Sequence, residues 1–242
     1  MRLIPANYYE VESLCQLIEA EHAKCISFTS AAGNTGSSSA LVSVAERLKL
    51  ADKRVLIVDL NLKSPALASW YGVNNQSRWS FADISCQLAI EDVAGIHFLS
   101  GEHLIDSFQS RNLNTVGEAF LRLAQEFDYV LCDTSPINAK NQKNVPAKVI
   151  MRWCDLNFLT VSCNQTEEGE LAQALTLFDE QDKAKTHLIL SQQQMPTLHE
   201  LMMNKIHRML ASRFFVSRWL AGRLLIRWNK LVFKCPWLKT NP

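Results

Sequence analysis

The segment from Phe28 to Ser39 is built mostly of small residues, with Gly33, Asn34, Thr35, Gly36, Ser37, Ser38 and Ser39 running straight into an apolar helical pattern. A strand, a small-residue loop and a helix N-terminus together form an anion cradle, because unpaired backbone N–H groups and the positive end of the helix dipole converge on the loop. Phosphate suits that geometry. Two further segments, Arg54 to Pro65 and Phe127 to Pro136, carry continuous apolar runs that end in Asp59 and Asp133. A doubly buried strand of a parallel sheet delivers such a carboxylate to the carboxyl edge, where open α/β folds bind ligands. Ser38, Asp59 and Asp133 then make an all-oxygen set suited to magnesium and to positioning water. Taken singly, each feature also has a plainer meaning: a serine- and glycine-rich turn capping a helix, and two strand-end aspartates capping the turns after them.

Positioning these groups requires strands and helices in alternation, and the hydrophobic periods supply them. Strands are predicted over Cys25 to Thr29, Val55 to Asp59, Ile96 to Ser100, Tyr129 to Asp133, Leu156 to Ser162 and His187 to Leu190. Helical periods fill Ser38 to Leu50, Thr115 to Gln125, Pro146 to Trp153 and Glu167 to Glu180, and a leading helix, Val11 to Glu21, packs outside. The stretch from Gly72 to Gly95 is the least periodic and is expected to hold irregular or helical insertions. The organisation is an N-terminal helical extension over 1–24, an α/β domain over 25–195 and a basic tail over 196–242.

The chain has 242 residues, 48% hydrophobic and 20% charged, which is enough for one full core. A net charge of +1 conceals an asymmetry, since all 24 acidic residues lie in residues 1–200 and the last 42 residues hold 9 Lys or Arg. The body is thus acidic and the tail calls for an anionic partner. Seven cysteines include no C-x-x-C pair, and Cys25, Cys132 and Cys163 fall in apolar strand-like runs. They read as reduced, buried thiols of a cytosolic protein. No apolar signal core and no 18-residue apolar span occurs, so neither standard export nor membrane crossing is expected. The six histidines show no metal-binding spacing, and no Gly-x-Ser-x-Gly elbow is present.

The three phosphate-type motifs, in this order and spacing, resemble the MinD/ParA superfamily of deviant Walker P-loop ATPases. The likeness is nearest to the bacterial tyrosine kinases and co-polymerases of capsule and exopolysaccharide synthesis. That family's second motif reads Val-Leu-Leu-Ile-Asp-Ala-Asp-Leu-Arg-x-Pro, which Val55 to Pro65 follows through Asp59, Leu62, Lys63 and Pro65. Its third reads Tyr-Asp-Tyr-Val-Ile-Ile-Asp-Thr-Pro-Pro, which Phe127 to Pro136 nearly copies. Weaker likeness continues over Gly95 to Gly101 and Cys154 to Thr166, and the match spans roughly residues 24 to 192. The resemblance implies a three-layer α/β P-loop NTPase-like fold with a mostly parallel central sheet, here extended by a C-terminal amphipathic helix.

The departures concern charge. The P-loop lysine position after Gly36 is Ser37, the group-defining lysine position near the loop's start is Ala32, and the second aspartate of the Asp-x-Asp motif is Asn61. Loss of one charged hydrogen bond costs about 1.5–3 kcal/mol, and each ~1.4 kcal/mol is tenfold in rate. Asp59, Asn61 and Asp133 are accordingly expected to be vestigial rather than catalytic. The backbone cradle leaves weak binding of ATP or ADP with magnesium, or no nucleotide at all, as the alternatives. The resemblance also implies a C-terminal tyrosine cluster, but only Tyr8, Tyr9, Tyr71 and Tyr129 are present. The strand end where the family recognises adenine offers Ser191 and Gln192.

In the tail, Arg223, Arg227, Lys230 and Lys234 fall at i, i+4, i+7 and i+11, one narrow stripe at helical period. The remaining surface is apolar, with Trp219, Trp228 and Trp237 among it, a pattern that fits an interfacial helix on anionic lipid. Packing on a partner protein is the alternative; a nucleic-acid face is disfavoured, because the cations are interleaved with too much apolar surface. The expected function is a catalytically impaired kinase- or ATPase-like accessory protein. It would act as scaffold or regulator of exopolysaccharide synthesis or export at the cytoplasmic face of the membrane, and could self-associate. The alternative is an active MinD-like ATPase that cycles on the membrane.

Overall fold

The computed structural model describes residues 4–62, 66–105, 109–139, 145–163, 165–192, 198–211 and 223–225. The chain divides into two units, Met1–Gln193 and Gln194–Pro242. In the first unit the elements run α1 (Tyr9–Ala20), β1 (Cys25–Ser30), α2 (Ser37–Lys49), β2 (Val55–Leu60), α3 (Leu67–Tyr71), α4 (Ser85–Leu88), β3 (Glu91–Val93) and β4 (Ile96–Ser100). They continue with α5 (Leu113–Glu126), β5 (Tyr129–Thr134), α6 (Ala147–Trp153), β6 (Leu156–Ser162), α7 (Glu168–Thr176), α8 (Glu180–Ala184) and β7 (Thr186–Ser191). The sheet order is β3-β4-β2-β5-β1-β6-β7. All pairings are parallel except β3 with β4. This is the mostly parallel α/β fold that the alternation of periods predicts.

Strands β1, β2 and β6 are buried along their whole length, as sheets covered on both faces must be. On one face Leu41, Val44 and Leu48 of α2 and Ile18 of α1 pack on Ile26, Phe28, Ile57 and Phe158. On the other, Val116, Phe120 and Leu123 of α5 and Ile150 of α6 cover Leu56, Val58 and Val130. Each fully buried side chain of this size contributes about 1.5–3 kcal/mol. Surface pairing adds little: Arg47 to Glu12, at 2.6 Å, links α2 to α1 but is partly exposed and screened by solvent. Helix α5 begins where Asn112 caps it, its side chain accepting from the N–H groups of Asn114 and Thr115.

The structure corrects three expectations. The helix expected over Glu167 to Glu180 breaks into α7 and α8, because Phe178 turns into the core and Asp179 starts a new helix by accepting from Asp182 N–H. The Gly72 to Gly95 region contains α4 and also an antiparallel edge strand, β3, whose Glu91 and Asp92 hid it from any apolar period. Cys163 is exposed just past β6, whereas Cys25 and Cys132 are buried as expected.

Helices α5 and α6 touch at Gly117, where a Cβ would lie 2.3 Å from Cζ2 of Trp153. Gly117→Ala is therefore expected to destabilise the fold by about 1–3 kcal/mol, the usual cost of overpacking. Adding Trp153→Ala should recover much of that loss. A urea-melt double-mutant cycle checks the coupling; additive effects would show that the contact is not limiting.

In the second unit α9 spans Leu198–Leu210, and residues 223–225 are helical with Arg223 exposed. Trp219, Arg227, Trp228, Lys230 and Lys234 lie outside the described residues. Among the described residues, no helix is long and apolar enough to cross a membrane.

Candidate functional site

The site forms at the carboxyl edge of the three central strands. Its loop leaves β1 at Ser30 and enters α2 at Ser37, and the turn needs two left-handed residues, Asn34 at φ 60° and Gly36 at φ 94°. Gly36 adopts that conformation because it lacks a Cβ, and Asn tolerates it better than most residues. Among the described residues no side chain caps α2, whose N-terminus is of the kind that can receive an anion. Gly33 and Asn34 are exposed, Thr35, Ser37 and Ser39 are buried, and Ser38 is half-buried.

Asp59 and Asp133 lie directly opposite each other on β2 and β5, 2% and 1% exposed. Facing residues on adjacent strands sit about 5 Å apart. The Ser38 hydroxyl donates to Asp133 Oδ2 at 2.6 Å, and the Asn61 N–H donates to Asp59 Oδ1 at 3.1 Å. The other oxygens, Asp59 Oδ2 and Asp133 Oδ1, are buried without a hydrogen-bond partner among the described residues, as are Thr35 Oγ1 and Ser37 Oγ. Burial pushes Asp59 up to about 6, opposed by the Asn61 N–H and reinforced by the charge of Glu102. Asp133 is raised well above the ordinary carboxylate range, first by burial and then by Asp59 beside it; its bonds from Ser38 and Asn61 only partly offset this. Among the described residues no Lys or Arg forms an ion pair with either aspartate. Burial and mutual repulsion both favour the protonated form of such a carboxylate pair.

Three further residues support the loop and the aspartates; Ser135 and Gly101 lie in segments that the sequence pattern marks without a role, and Glu102 lies outside them. Ser135 donates to the Asn61 side chain at 3.4 Å, fixing the neutral residue of the Asp-x-Asp position. Glu102 adds negative charge from the turn after β4. Gly101 allows that turn to approach β2, since a Cβ there would lie 2.3 Å from the Asp59 carbonyl oxygen and 2.9 Å from Leu62 Cδ2. The first of those atoms is backbone and cannot swing aside. Gly101→Ala is thus expected to cost roughly 2–3 kcal/mol or more and to perturb the Asp59 strand end, read by chemical denaturation. In the sequence Gly101 is signalled by its place directly after the apolar strand β4 and by the resemblance over Gly95 to Gly101.

For magnesium the residues present fit. Ser38 and the unpartnered oxygens of Asp59 and Asp133 are hard donors that would hold it, with water or phosphate completing its shell, and the ion would neutralise the carboxylate pair. Among the described residues no group of three or more His, Cys, Asp or Glu could hold a metal alone. For a triphosphate the shape fits and the charge does not: the backbone cradle is present, but Ala32 and Ser37 supply no cation.

No protein-family profile and no curated protein sequence matches this chain. Solved structures do. The kinase domain of the Escherichia coli tyrosine kinase ETK superposes with a TM-score of 0.61 at 17% identity, covering 75% of this chain and 73% of that one. The chimeric protein CapA2B2 gives 0.61 at 18% identity, with 74% and 80% covered. A chain of the MinC:MinD cell division protein complex of Aquifex aeolicus gives 0.56 at 17% identity, with 69% and 68% covered. Similarity at this level is similarity of fold. The chain therefore has the P-loop NTPase-like fold shared by bacterial tyrosine kinase domains and MinD/ParA ATPases.

Proposed function

We propose that this protein is a catalytically impaired relative of the exopolysaccharide tyrosine kinases. On this reading it is a scaffold or regulator of a polysaccharide synthesis or export complex at the cytoplasmic face of the membrane. The observation that carries the reading is a cradle kept in shape and stripped of charge. Gly36 retains its left-handed turn and Ser38 its bond to Asp133, while Ser37, Ala32 and Asn61 occupy the positions where the resemblance calls for two lysines and a carboxylate. Phosphoryl transfer depends almost entirely on positioning and on neutralising phosphate charge, and a loop without cations does little of the second. The basic, apolar tail is the surface that would engage anionic lipid or a partner subunit.

The test is ATP turnover and binding. The purified protein with magnesium is expected to show no hydrolysis above background and, in calorimetry, at most millimolar affinity for ATP. Turnover that disappears in Asp59→Ala or Asp133→Ala would overturn the proposal in favour of an active MinD-like ATPase. For the tail, co-sedimentation with vesicles containing anionic lipid should pellet the full chain and not a truncation after Gln194. Equal pelleting of the two would remove the tail from the membrane reading.

A further inference from the structure

We propose that the β7 edge is a self-association surface, through which two copies of this chain join antiparallel about a two-fold axis at Ile189, merging their sheets. The two edges of the sheet are built differently. At one end β3 is three residues long and carries Glu91 and Asp92, a charged edge that repels pairing. At the other, β7 is six residues, Thr186 to Ser191, without a charge or a proline. Among the described residues it pairs with β6 alone. Its leucines are displayed rather than covered: Leu188 is 52% and Leu190 67% exposed. An edge with no guarding residue and exposed branched side chains is a template for another strand.

The hydrogen-bond phase shows which groups the edge offers. Asn157 N–H donates to Lys185 C=O and Cys163 N–H to Ser191 C=O, so the odd-numbered residues of this strand turn their peptide groups toward β6. In a parallel ladder the intervening residues point theirs the other way, so the N–H and C=O groups of Leu188 and Leu190 face the open edge. A two-fold axis normal to the sheet keeps each side chain on its own face, which requires residues of equal parity to stand opposite each other. With the axis at Ile189, Leu188 of one copy faces Leu190 of the other and exchanges both backbone bonds with it. The same happens on the far side of the axis. The four exposed leucines then meet on one face, and His187 faces Ser191 on the other, so no like charges oppose within the strand. The second copy is the occupant that this edge fits, because it brings both the missing backbone partners and the missing apolar cover. The contact is small compared with a standard interface of about 1,600 Å², so a weak equilibrium, on the order of micromolar or above, is expected.

Sedimentation of the full chain over roughly 5 to 200 μM, a range set by that affinity, should show monomer giving way to dimer. Leu188→Lys and Leu190→Lys should weaken the dimer at least tenfold while leaving the melting curve unchanged, since both side chains are exposed in the monomer. The axis has its own readout. Facing residues of a non-hydrogen-bonded antiparallel pair have Cα atoms about 4.5 Å apart, within disulfide range. Ile189→Cys in a Cys163→Ser background should therefore form a covalent dimer under mild oxidation. A wild-type chain that stays monomeric over this range, a dimer indifferent to both lysines, or no cross-link at position 189 would each overturn the proposal.

Discussion

At pH 8 the Asp133→Asn variant is expected to melt several degrees above the wild-type protein, and at pH 4 the two should nearly coincide. Asp133 is fully buried opposite Asp59, and among the described residues its side-chain bonds come from the uncharged Ser38 and Asn61. Its folded-state pKa, like that of Asp59 at about 6, lies above the unfolded value, so the folded chain binds the protons more tightly. Stability linked to these protons is fully present below about pH 4 and is lost as pH rises through the folded values. For Asp59 alone, a rise of about two units corresponds to roughly 3 kcal/mol at most, several degrees for a domain of this size. Replacing one carboxylate by an amide keeps an acceptor for the Ser38 hydroxyl and removes the opposing charge. Asp83 and Asp179, whose pKa values are lowered by hydrogen bonds from Ser85 and from Asp182 N–H, act in the opposite sense, losing stability as pH falls. The difference between variant and wild type is therefore the quantity to measure, by thermal melts from pH 4 to 8. Millimolar magnesium at pH 8 should narrow the gap by stabilising the wild type only. A gap that stays constant with pH would show that the pair carries no unusual proton.

The same aspartates show what a sequence discloses about such a site. Their strands were legible because parallel strands buried on both faces are continuous apolar runs, and Asp59 and Asp133 interrupt those runs at their ends. The loop was legible from Gly33 to Ser39 because few other segments are so rich in small residues before a helical period. What was not legible depends on contacts between distant elements. Glu102 and Ser135 act on Asp59 and Asn61 through space, and Gly101 is required by the closeness of two backbones. Strand β3 had no apolar signature because its edge position lets charged residues occupy it. The break between α7 and α8 was hidden because Leu175, Leu177 and Phe178 continue an apolar pattern across it, while Asp179, an ordinary helix residue by composition, was in fact a cap. On the proposed reading, the telling information in the sequence was negative: the loop from Phe28 to Ser39 holds no Lys or Arg.

If the loop is a phosphate cradle short of charge, as proposed, supplying a cation there should create ligand affinity. Ser37→Lys is expected to raise the affinity for magnesium-ATP about tenfold to a hundredfold, since a charged hydrogen bond to phosphate is worth about 1.5–3 kcal/mol. Adding Ala32→Lys and Asn61→Asp should raise it further, although not additively, because the three groups would share one ligand and the same two carboxylates. The backbone prerequisite is already in place: Gly36 makes its left-handed turn, and Ser37 opens an uncapped α2. Adenosine is the control, since a gain shared with it would come from the base and not from phosphate. Calorimetry at two salt concentrations reads the result, with the lysine-dependent gain shrinking as salt screens it. The same substitution bears on the pH experiment. A lysine close to Asp59 and Asp133 would lower both pKa values by favouring their charged forms, so the Ser37→Lys protein should lose less stability between pH 4 and 8 than the wild type does. If Ser37→Lys folds normally yet gains neither phosphate affinity nor a flatter pH profile, the loop is not a phosphate cradle that lost its charge. Its small residues would then serve only to turn the chain from β1 into α2.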